Sequence, residues 1–311
     1  MNKVTSFADD TRVSGVIKTY PDTEILRNDL ETIYKWQQDN NMLFNESKFE
    51  LLRYGKNTTI KDTSHYTGPG GQLITAKPSV RDLGVLMTDT LIFTDHINQT
   101  CSDVKKYCGI ILRTFKSREP MLMKTLWTSI IQPRIDYCCQ LWFPHKARDI
   151  QKLESLQRSY TGKLVSISHL SPWERQQYLK LTSIERRYER YMIIYTWKIL
   201  EDLVPNTGIT AFTTLRRGRL CNIPKINTGA SCAIQSIREN SFNIKGPRLF
   251  NITPPDVRNL TGCTVDTFKC HLDKFLTTIQ DHPRLHGYTG QCRTETNSII
   301  HMKNISLGQH S

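Results

Sequence analysis

Two adjacent carboxylates near the start of the chain are the residues best suited to metal chemistry. Asp9 and Asp10 lie between two segments, residues 4–7 and 13–17, in which polar and apolar residues alternate as they do in strands. Carboxylate oxygens are the hard ligands that Mg²⁺ prefers. An acidic stretch between two strands is more often simply a turn. The pair by itself therefore leaves both interpretations open.

Positive charge is concentrated in the middle of the chain. The formal net charge is +13, and residues 101–250 hold 25 Lys and Arg against 11 Asp and Glu, whereas residues 1–100 hold 11 against 13. A concentrated basic region is what binding to a phosphate backbone requires, because cationic side chains release counterions from it. A solvated helical surface with surplus lysine is the other interpretation. Within this region, Arg186-Arg187 beside Glu185 and Glu189 are predicted to form a helix face with i,i+4 charge pairs.

The elements that must position the acidic pair are short and mixed. The pair would lie at or near the tip of a hairpin over residues 4–17, and Pro21 then offers the start of an amphipathic helix that ends near residue 40. Residues 47–54 and 80–87 are predicted as strands, with a turn-rich stretch between them. The first 90 residues are thus predicted to form a small antiparallel sheet with helices.

From residue 95 onward the pattern is helical, and the predicted fold class is α+β. The predicted helices cover residues 95–115, 119–140, 147–164, 182–203 and 264–280. Residues 206–245 show no sustained period and are predicted to be a linker or a loosely ordered basic loop, with Arg216-Arg217-Gly218-Arg219 inside it. Residues 246–281 are predicted to form a small helical module, and residues 282–311 are predicted to be a disordered tail.

The cysteines and tryptophans favour packing over chemistry. Nine cysteines without regular spacing predict free thiols in an intracellular chain, and Cys138-Cys139 has the pattern of buried packing. Cys263 and Cys270-His271 could suggest zinc, but the spacing lacks a close Cys-x2-Cys partner. The tryptophans predicted as core rather than as stacking platforms are Trp127, Trp142, Trp173 and Trp197.

Several motifs follow one another in a distinctive order. Phe7-Ala8-Asp9-Asp10 comes first, then residues 45–53, then Leu83-Gly84-Val85. Further motifs cover residues 126–137, 141–144, 153–158, 181–187 and 246–269. The ordered set resembles the second half of a reverse transcriptase from a non-LTR, LINE-type (jockey-like) retrotransposon. The resemblance extends over residues 4–281.

The resemblance implies a partial palm over residues 1–90 and a helical thumb-like region over residues 95–203. The complete enzyme is an RNA-directed DNA polymerase, which transfers nucleotides with two metal ions. By resemblance, Asp9 would be a direct Mg²⁺ ligand, Asp10 its neighbour in the catalytic site, and Leu83-Gly84-Val85 a primer-grip-like turn.

The same resemblance implies a template–primer duplex of RNA and DNA as the partner. The thumb would contact phosphates, which carry no base specificity. The candidate nucleic-acid-binding side chains are Lys105, Lys106, Arg113, Lys116, Arg118, Lys124, Arg148, Lys152 and Arg158.

The chain departs from the family pattern at the active site. The family needs another aspartate on a strand well upstream, together with the fingers, whereas only eight residues precede Asp9 here. We therefore expect no polymerase activity from this chain alone and no tight Mg²⁺ binding to it. No apolar run approaches the roughly 18 residues of a membrane span, so no membrane partner is expected. An intracellular location is predicted, and a nuclear one rests on the resemblance alone.

Two other functions fit the sequence. One is a non-catalytic nucleic-acid-binding remnant that uses the basic helical region. The other is a helical protein-interaction domain in which the aspartate pair is incidental. Salt-sensitive binding to a duplex separates these two, because an interaction domain has no need to bind phosphates.

Overall fold

The structure is a computed structural model that describes residues 2–55, 58–226, 229, 231–282 and 297–300. The chain forms two compact units, Met1–Ile92 and Phe93–Ser311. We call them the N-terminal unit and the C-terminal unit. Helices and two-stranded sheets are both present, so the predicted α+β class is confirmed.

The strands of the N-terminal unit are short. They are β1 (Lys3–Phe7), β2 (Asp10–Ser14), β3 (Leu51–Leu52), β4 (Ala76–Lys77), β5 (Ser79–Asp82) and β6 (Val85–Thr88). The pairs β1–β2 and β5–β6 are antiparallel, and β3–β4 is parallel. The described strands thus form separate two-stranded sheets instead of the one antiparallel palm-type sheet that was predicted. Such pairs bury little surface, and every residue of β1 is exposed.

The helices of the N-terminal unit are α1 (Tyr20–Asp39) and α2 (Thr58–Thr63). Pro21 lies in the first turn of α1, where a missing amide hydrogen costs nothing. The Asp22 carboxylate accepts hydrogen bonds from the backbone amides of Lys18 (2.9 Å) and Thr19 (2.8 Å). These two bonds hold the pKa of Asp22 below its ordinary value and fix the start of the helix.

Two strand predictions need correction. The strand predicted over residues 80–87 is the β5–β6 hairpin, in which Leu83 and Gly84 take positive φ angles of 43° and 85° in a two-residue loop. Positive φ at both loop residues matches the twist of the flanking strands. The strand predicted over residues 47–54 shrinks to β3, because a 3-10 turn capped by the Asn45 side chain occupies Glu46–Lys48.

The C-terminal unit is mainly helical. Its helices are α3 (Thr94–Thr114), α4 (Pro120–Leu126), α5 (Gln132–Asp136), α6 (Cys139–Trp142), α7 (Ala147–Thr161), α8 (Pro172–Tyr178), α9 (Ile184–Leu200), α10 (Cys232–Asn240), α11 (Phe242–Ile252), α12 (Pro255–Arg258) and α13 (Val265–Thr277). Two antiparallel strands, β7 (Ala211–Thr214) and β8 (Gly218–Cys221), form a hairpin between α9 and α10.

The helix predicted over residues 119–140 is interrupted. A π-helical turn, Trp127–Ile131, joins α4 to α5. Pro133 cannot donate to the preceding turn, and a wider turn accommodates the lost bond. Cys138 then takes a left-handed conformation (φ 50°) that separates α5 from α6.

Helix α9 lies at the centre of the core of the C-terminal unit and packs on α6, α7, α11 and α13. Trp197 in α9 is fully buried, stacks on Phe268 with ring centroids 4.5 Å apart, and donates a hydrogen bond from Nε1 to the Leu260 carbonyl (2.8 Å). Trp127 and Trp142 are also fully buried, as predicted. Trp173 is only half-buried.

The predicted linker and tail differ from the structure. Residues 206–245 contain the β7–β8 hairpin and α10, so much of this range is regular structure. Within the predicted tail, residues 297–299 are buried, and the Asn297 carbonyl accepts a hydrogen bond from the Arg186 guanidinium (3.3 Å). The disorder prediction is therefore wrong for residues 297–300, because partners more than a hundred residues away hold them. Residues 283–296 and 301–311 lie outside the described residues.

Candidate functional site

The acidic pair lies at the tip of the β1–β2 hairpin. Phe7 pairs with Asp10, so Ala8 and Asp9 form the two-residue loop. Ala8 has a φ of 52°, a left-handed conformation that is costly for a residue with a Cβ atom. Both aspartates are exposed. Neither side chain has a hydrogen-bond or ion-pair partner among the described residues, so the carboxylates face solvent.

The two hairpins of the N-terminal unit meet through an ion pair. Arg12 in β2 donates to the Asp82 carboxylate in β5 at 2.9 Å. Tyr54, which follows β3, lies close enough to feel both charges, while burial of its phenol is the main cause that raises its pKa. The fold thus brings the hairpin that carries Asp9 and Asp10 beside the hairpin that carries the Leu83-Gly84-Val85 turn.

The acidic hairpin does not fit the two-magnesium site that the resemblance implies. Mg²⁺ requires near-octahedral oxygen coordination, and a two-metal site needs carboxylates from more than one segment. Among the described residues, no group of three or more His, Cys, Asp or Glu side chains is placed to hold a metal ion. Asp9 and Asp10 are the only acidic side chains at the tip of this described hairpin, which leaves most positions around a magnesium ion without a protein ligand.

Five of the nine predicted phosphate-binding side chains are exposed: Lys105, Lys106, Arg113, Lys116 and Arg148. Lys105, Lys106 and Arg113 share the solvent-facing side of α3, and the eight residue steps from Lys105 to Arg113 span about 12 Å at the helical rise. Lys106 forms an i,i+3 ion pair with Asp103 at 3.0 Å. Both partners of that pair are well exposed, so the pair contributes little stability and leaves Lys106 accessible.

The other four predicted side chains are half-buried. Arg118 donates to the carbonyls of Leu112 and Phe115 and thereby caps the C-terminal end of α3. Lys152 donates to the Asn98 side chain and to the Asp149 carboxylate, each at 2.9 Å. Both cations therefore stabilise the fold. Lys124 and Arg158 are also half-buried, and Arg158 lines a small cavity between α7 and α8.

One cation beside α3 was not predicted from the sequence. The exposed Arg134 guanidinium in α5 lies 3.6 Å from the centre of the Tyr107 ring in α3. Arg134 follows Tyr107 by 27 residues, and only the packing of α5 on α3 brings the two together. We define the α3 basic surface as Lys105, Lys106, Arg113 and Arg134.

A buried polar network surrounds the first turns of α9, where the sequence analysis predicted a solvated helix face with i,i+4 charge pairs. Arg186 and Glu189 are almost completely buried. The Arg186 guanidinium donates to the carbonyls of Gln280 (3.1 Å) and Asn297 (3.3 Å). The Glu189 carboxylate accepts from the amide of Ile299 (2.9 Å). The prediction of surface pairs is wrong, because partners distant in sequence satisfy these charges inside the core.

Two further glutamates in this network hold their protons unusually tightly. Glu154 in α7 accepts a hydrogen bond from the Glu185 amide (2.9 Å), yet burial dominates and raises its pKa to about 7. Burial, and then the nearby Glu189 carboxylate, raise the pKa of Glu185 to about 8.

The cysteines form no metal centre in the part of the chain that the structure describes. Cys270 is exposed on α13 and Cys263 precedes that helix, while Cys139 is buried in the core as predicted. Its neighbour Cys138 is exposed, contrary to the predicted packing of both.

Comparison with protein-family models, with curated proteins and with solved structures finds no match for this chain. Among the helices that the structure describes, none combines the length and apolar character needed to cross a membrane.

Proposed function

We propose that the chain is a nucleic-acid-binding part of a retrotransposon-type RNA-directed DNA polymerase. In this proposal the C-terminal unit binds the template–primer duplex through phosphates. The α3 basic surface carries the proposal: three cations lie on one side of a long helix, and a fourth is stacked beside them. Arg134 is pre-positioned by its ring contact, so it loses little side-chain freedom when it binds a phosphate.

The acidic hairpin supports the polymerase part of the proposal through its neighbours. Asp9 and Asp10 lie on a hairpin joined by Arg12 and Asp82 to the turn at Leu83-Gly84. This is the order that the resemblance implies for the polymerase hairpin and the primer grip.

Duplex binding is tested by fluorescence anisotropy with a labelled RNA–DNA hybrid at several salt concentrations. The test variant replaces Lys105, Lys106 and Arg113 with Ala, and a matched control replaces the exposed Lys18, Lys35 and Lys48 of the N-terminal unit. Each lost phosphate contact lowers the slope of log K against log salt by about 0.9. We expect the magnitude of this slope to fall by roughly two to three in the test variant and by far less in the control.

Equal effects of the two triple variants, or binding that salt does not weaken, would count against the proposal. The second outcome would favour the helical protein-interaction domain instead. Primer extension on a primed RNA with Mg²⁺ tests catalysis separately. We expect no product from the wild-type chain, because Asp9 and Asp10 do not form a metal cluster with other described side chains.

A further inference from the structure

The tip of the β7–β8 hairpin exposes one apolar side chain and two cationic side chains to solvent. The loop between Thr214 and Gly218 consists of Leu215, Arg216 and Arg217. Leu215 is completely exposed, at 109% of its reference area. The guanidinium groups of Arg216 and Arg217 are exposed and have no partner among the described residues. Nothing in the described fold uses these three side chains.

The rest of the hairpin is held firmly by side chains of α11 and of the residue that follows α12. Asn251 accepts a hydrogen bond from the Cys221 amide (2.7 Å) and donates one to the Cys221 carbonyl (2.9 Å). Asn259 accepts from the Arg219 amide at 2.8 Å. These amide side chains satisfy the outer edge of β8 as a third strand would. The tip therefore projects from a rigid base.

The other two arginines of this region anchor the hairpin to neighbouring segments. Arg219 forms an ion pair with Glu201 and donates to the Leu200 carbonyl (2.8 Å). Arg258 donates to the Arg217 carbonyl at 2.5 Å. The backbone at the tip is thus fixed, while the side chains of Arg216 and Arg217 remain available.

Gly218 is required where the tip meets this base. Its φ of 67° is left-handed, and an added Cβ atom would lie 2.3 Å from the Asn259 Oδ1 atom. On the face of the hairpin opposite Arg219, Phe212 pairs across the strands with Leu220 and is 45% exposed. The exposed apolar surface of the hairpin therefore includes an aromatic ring as well as Leu215.

We propose that this hairpin is a second nucleic-acid contact, which binds at a junction between duplex and single strand. Arg216 and Arg217 contact phosphates, for which arginine is well suited. Leu215 packs on the face of a base, as apolar side chains do when they insert between base steps. A junction is the favoured site because bases there are already unstacked, so inserting Leu215 costs least. This inference rests on the proposed function, since it assigns a second site on the same ligand.

An anionic membrane is the competing partner for a basic and apolar tip. One leucine and a half-exposed phenylalanine offer only a small apolar area to a bilayer. Even a single acyl chain gives marginal membrane binding. The hairpin therefore lacks the apolar area for stable membrane association, whereas phosphate contacts add to those of the α3 basic surface.

The test compares a blunt duplex, the same duplex with a single-stranded overhang, and vesicles of phosphatidylcholine and phosphatidylserine at 3:1. The variants are Leu215→Ser and the double variant Arg216→Ala with Arg217→Ala. The matched control is Leu43→Ser, which replaces a leucine that is 88% exposed in the N-terminal unit. Circular dichroism and the unfolding midpoint establish that each variant is folded.

We expect wild type to bind the duplex with the overhang more tightly than the blunt duplex. Leu215→Ser should weaken binding to the overhang duplex by roughly fivefold, because one partly buried leucine is lost. Its binding to the blunt duplex should be unchanged. In the double variant, the slope of log K against log salt should fall in magnitude by about one to two for both nucleic acids. An unchanged overhang preference in Leu215→Ser overturns the inference. Vesicle binding that depends on Leu215 overturns it in favour of a membrane.

The α3 triple variant distinguishes the two proposals. It should weaken binding to both nucleic acids while keeping the preference for the overhang. If it has no effect while the hairpin variants do, the proposed role of the α3 basic surface fails and the hairpin site stands. If the hairpin variants alone have no effect, the further inference fails and the proposed function stands.

Discussion

Replacing Glu185 by Gln should remove a pH-dependent weakness from the C-terminal unit. Glu185 is 6% exposed, and burial followed by repulsion from Glu189 raises its pKa from 4.5 to about 8. Glu154 and Asp281 add to the repulsion, and Lys245 opposes it. At neutral pH the folded protein therefore keeps the Glu185 carboxyl mostly protonated, a state that the glutamine amide imitates in charge and size.

The sign of the effect follows from proton linkage. The pKa of Glu185 in the folded protein lies above its value in the unfolded chain, so folding favours the protonated form. Its contribution to stability is complete below pH 4.5 and is lost as the pH rises through about 8. A tenfold change in acid dissociation is worth about 1.4 kcal/mol, which sets an upper bound of about 5 kcal/mol for the loss. Relaxation of the network around α9 will reduce it.

The assay is urea unfolding at pH 5.5 and at pH 9, followed by tryptophan fluorescence. Four of the five tryptophans lie in the C-terminal unit, so the signal reports mainly on it. We expect Glu185→Gln to be more stable than wild type at pH 9, and this advantage in the free energy of unfolding to be larger at pH 9 than at pH 5.5 by about 1 kcal/mol or more. Glu239→Gln, which neutralises an exposed glutamate, is the control. The reasoning would be refuted if the difference in free energy of unfolding between Glu185→Gln and wild type did not change between pH 5.5 and pH 9, as is expected for the control Glu239→Gln.

Three further predictions concern the core and the two units. Trp197→Ala should lower the free energy of unfolding by about 3–5 kcal/mol, because it removes the stack on Phe268 and leaves a cavity; urea unfolding followed by circular dichroism measures the loss. Gly246→Ala should cost about 1–3 kcal/mol in the same assay, because the added Cβ would lie 2.6 Å from the Thr196 Oγ1 atom in α9. Trypsin should cut the N-terminal unit before the C-terminal unit, as read by mass spectrometry, because its described buried apolar side chains are few.

Each of these predictions has a contrary outcome. An unfolding midpoint for Trp197→Ala within error of wild type would mean that the stack on Phe268 is absent. The exposed Gly262, which has no atom within 4 Å of an added Cβ, is a useful contrast for Gly246, although its positive φ adds strain of its own. Early tryptic fragments that begin or end within α3, α7 or α9 would show that the C-terminal unit opens first.

The helical half of the fold was largely predictable from periodicity. Helices α3, α7, α9 and α13 lie within a few residues of their predicted bounds, because each keeps one apolar face over at least 13 residues. Periodicity alone predicted one strand where the β5–β6 hairpin lies, because Leu83-Gly84 lacks the Asn or Asp that usually marks such a turn; the turn itself was implied only by the resemblance. The strands β3 and β4 are too short, at two residues each, for any periodicity to reveal them.

The candidate site was only partly predictable for a related reason. Charge counts found the basic region, but they could not separate Lys105 and Arg113, which are exposed, from Arg118, which caps a helix. A cation's availability depends on carbonyls and carboxylates that only the fold brings near it. The same limit explains why Arg186 was predicted on the surface: its acceptors lie more than ninety residues away along the chain.

The contacts of α9 with the end of the chain have a consequence for synthesis on the ribosome. The Glu189 carboxylate meets the Ile299 amide across 110 residues of sequence. At about 5–20 residues per second, translation needs roughly 5–20 s to make the intervening segment. Throughout that interval the nascent α9 carries two charges without their final acceptors and donors. The core around α9 therefore matures late, and chaperones that shield nascent chains have a defined segment to protect until residue 300 emerges.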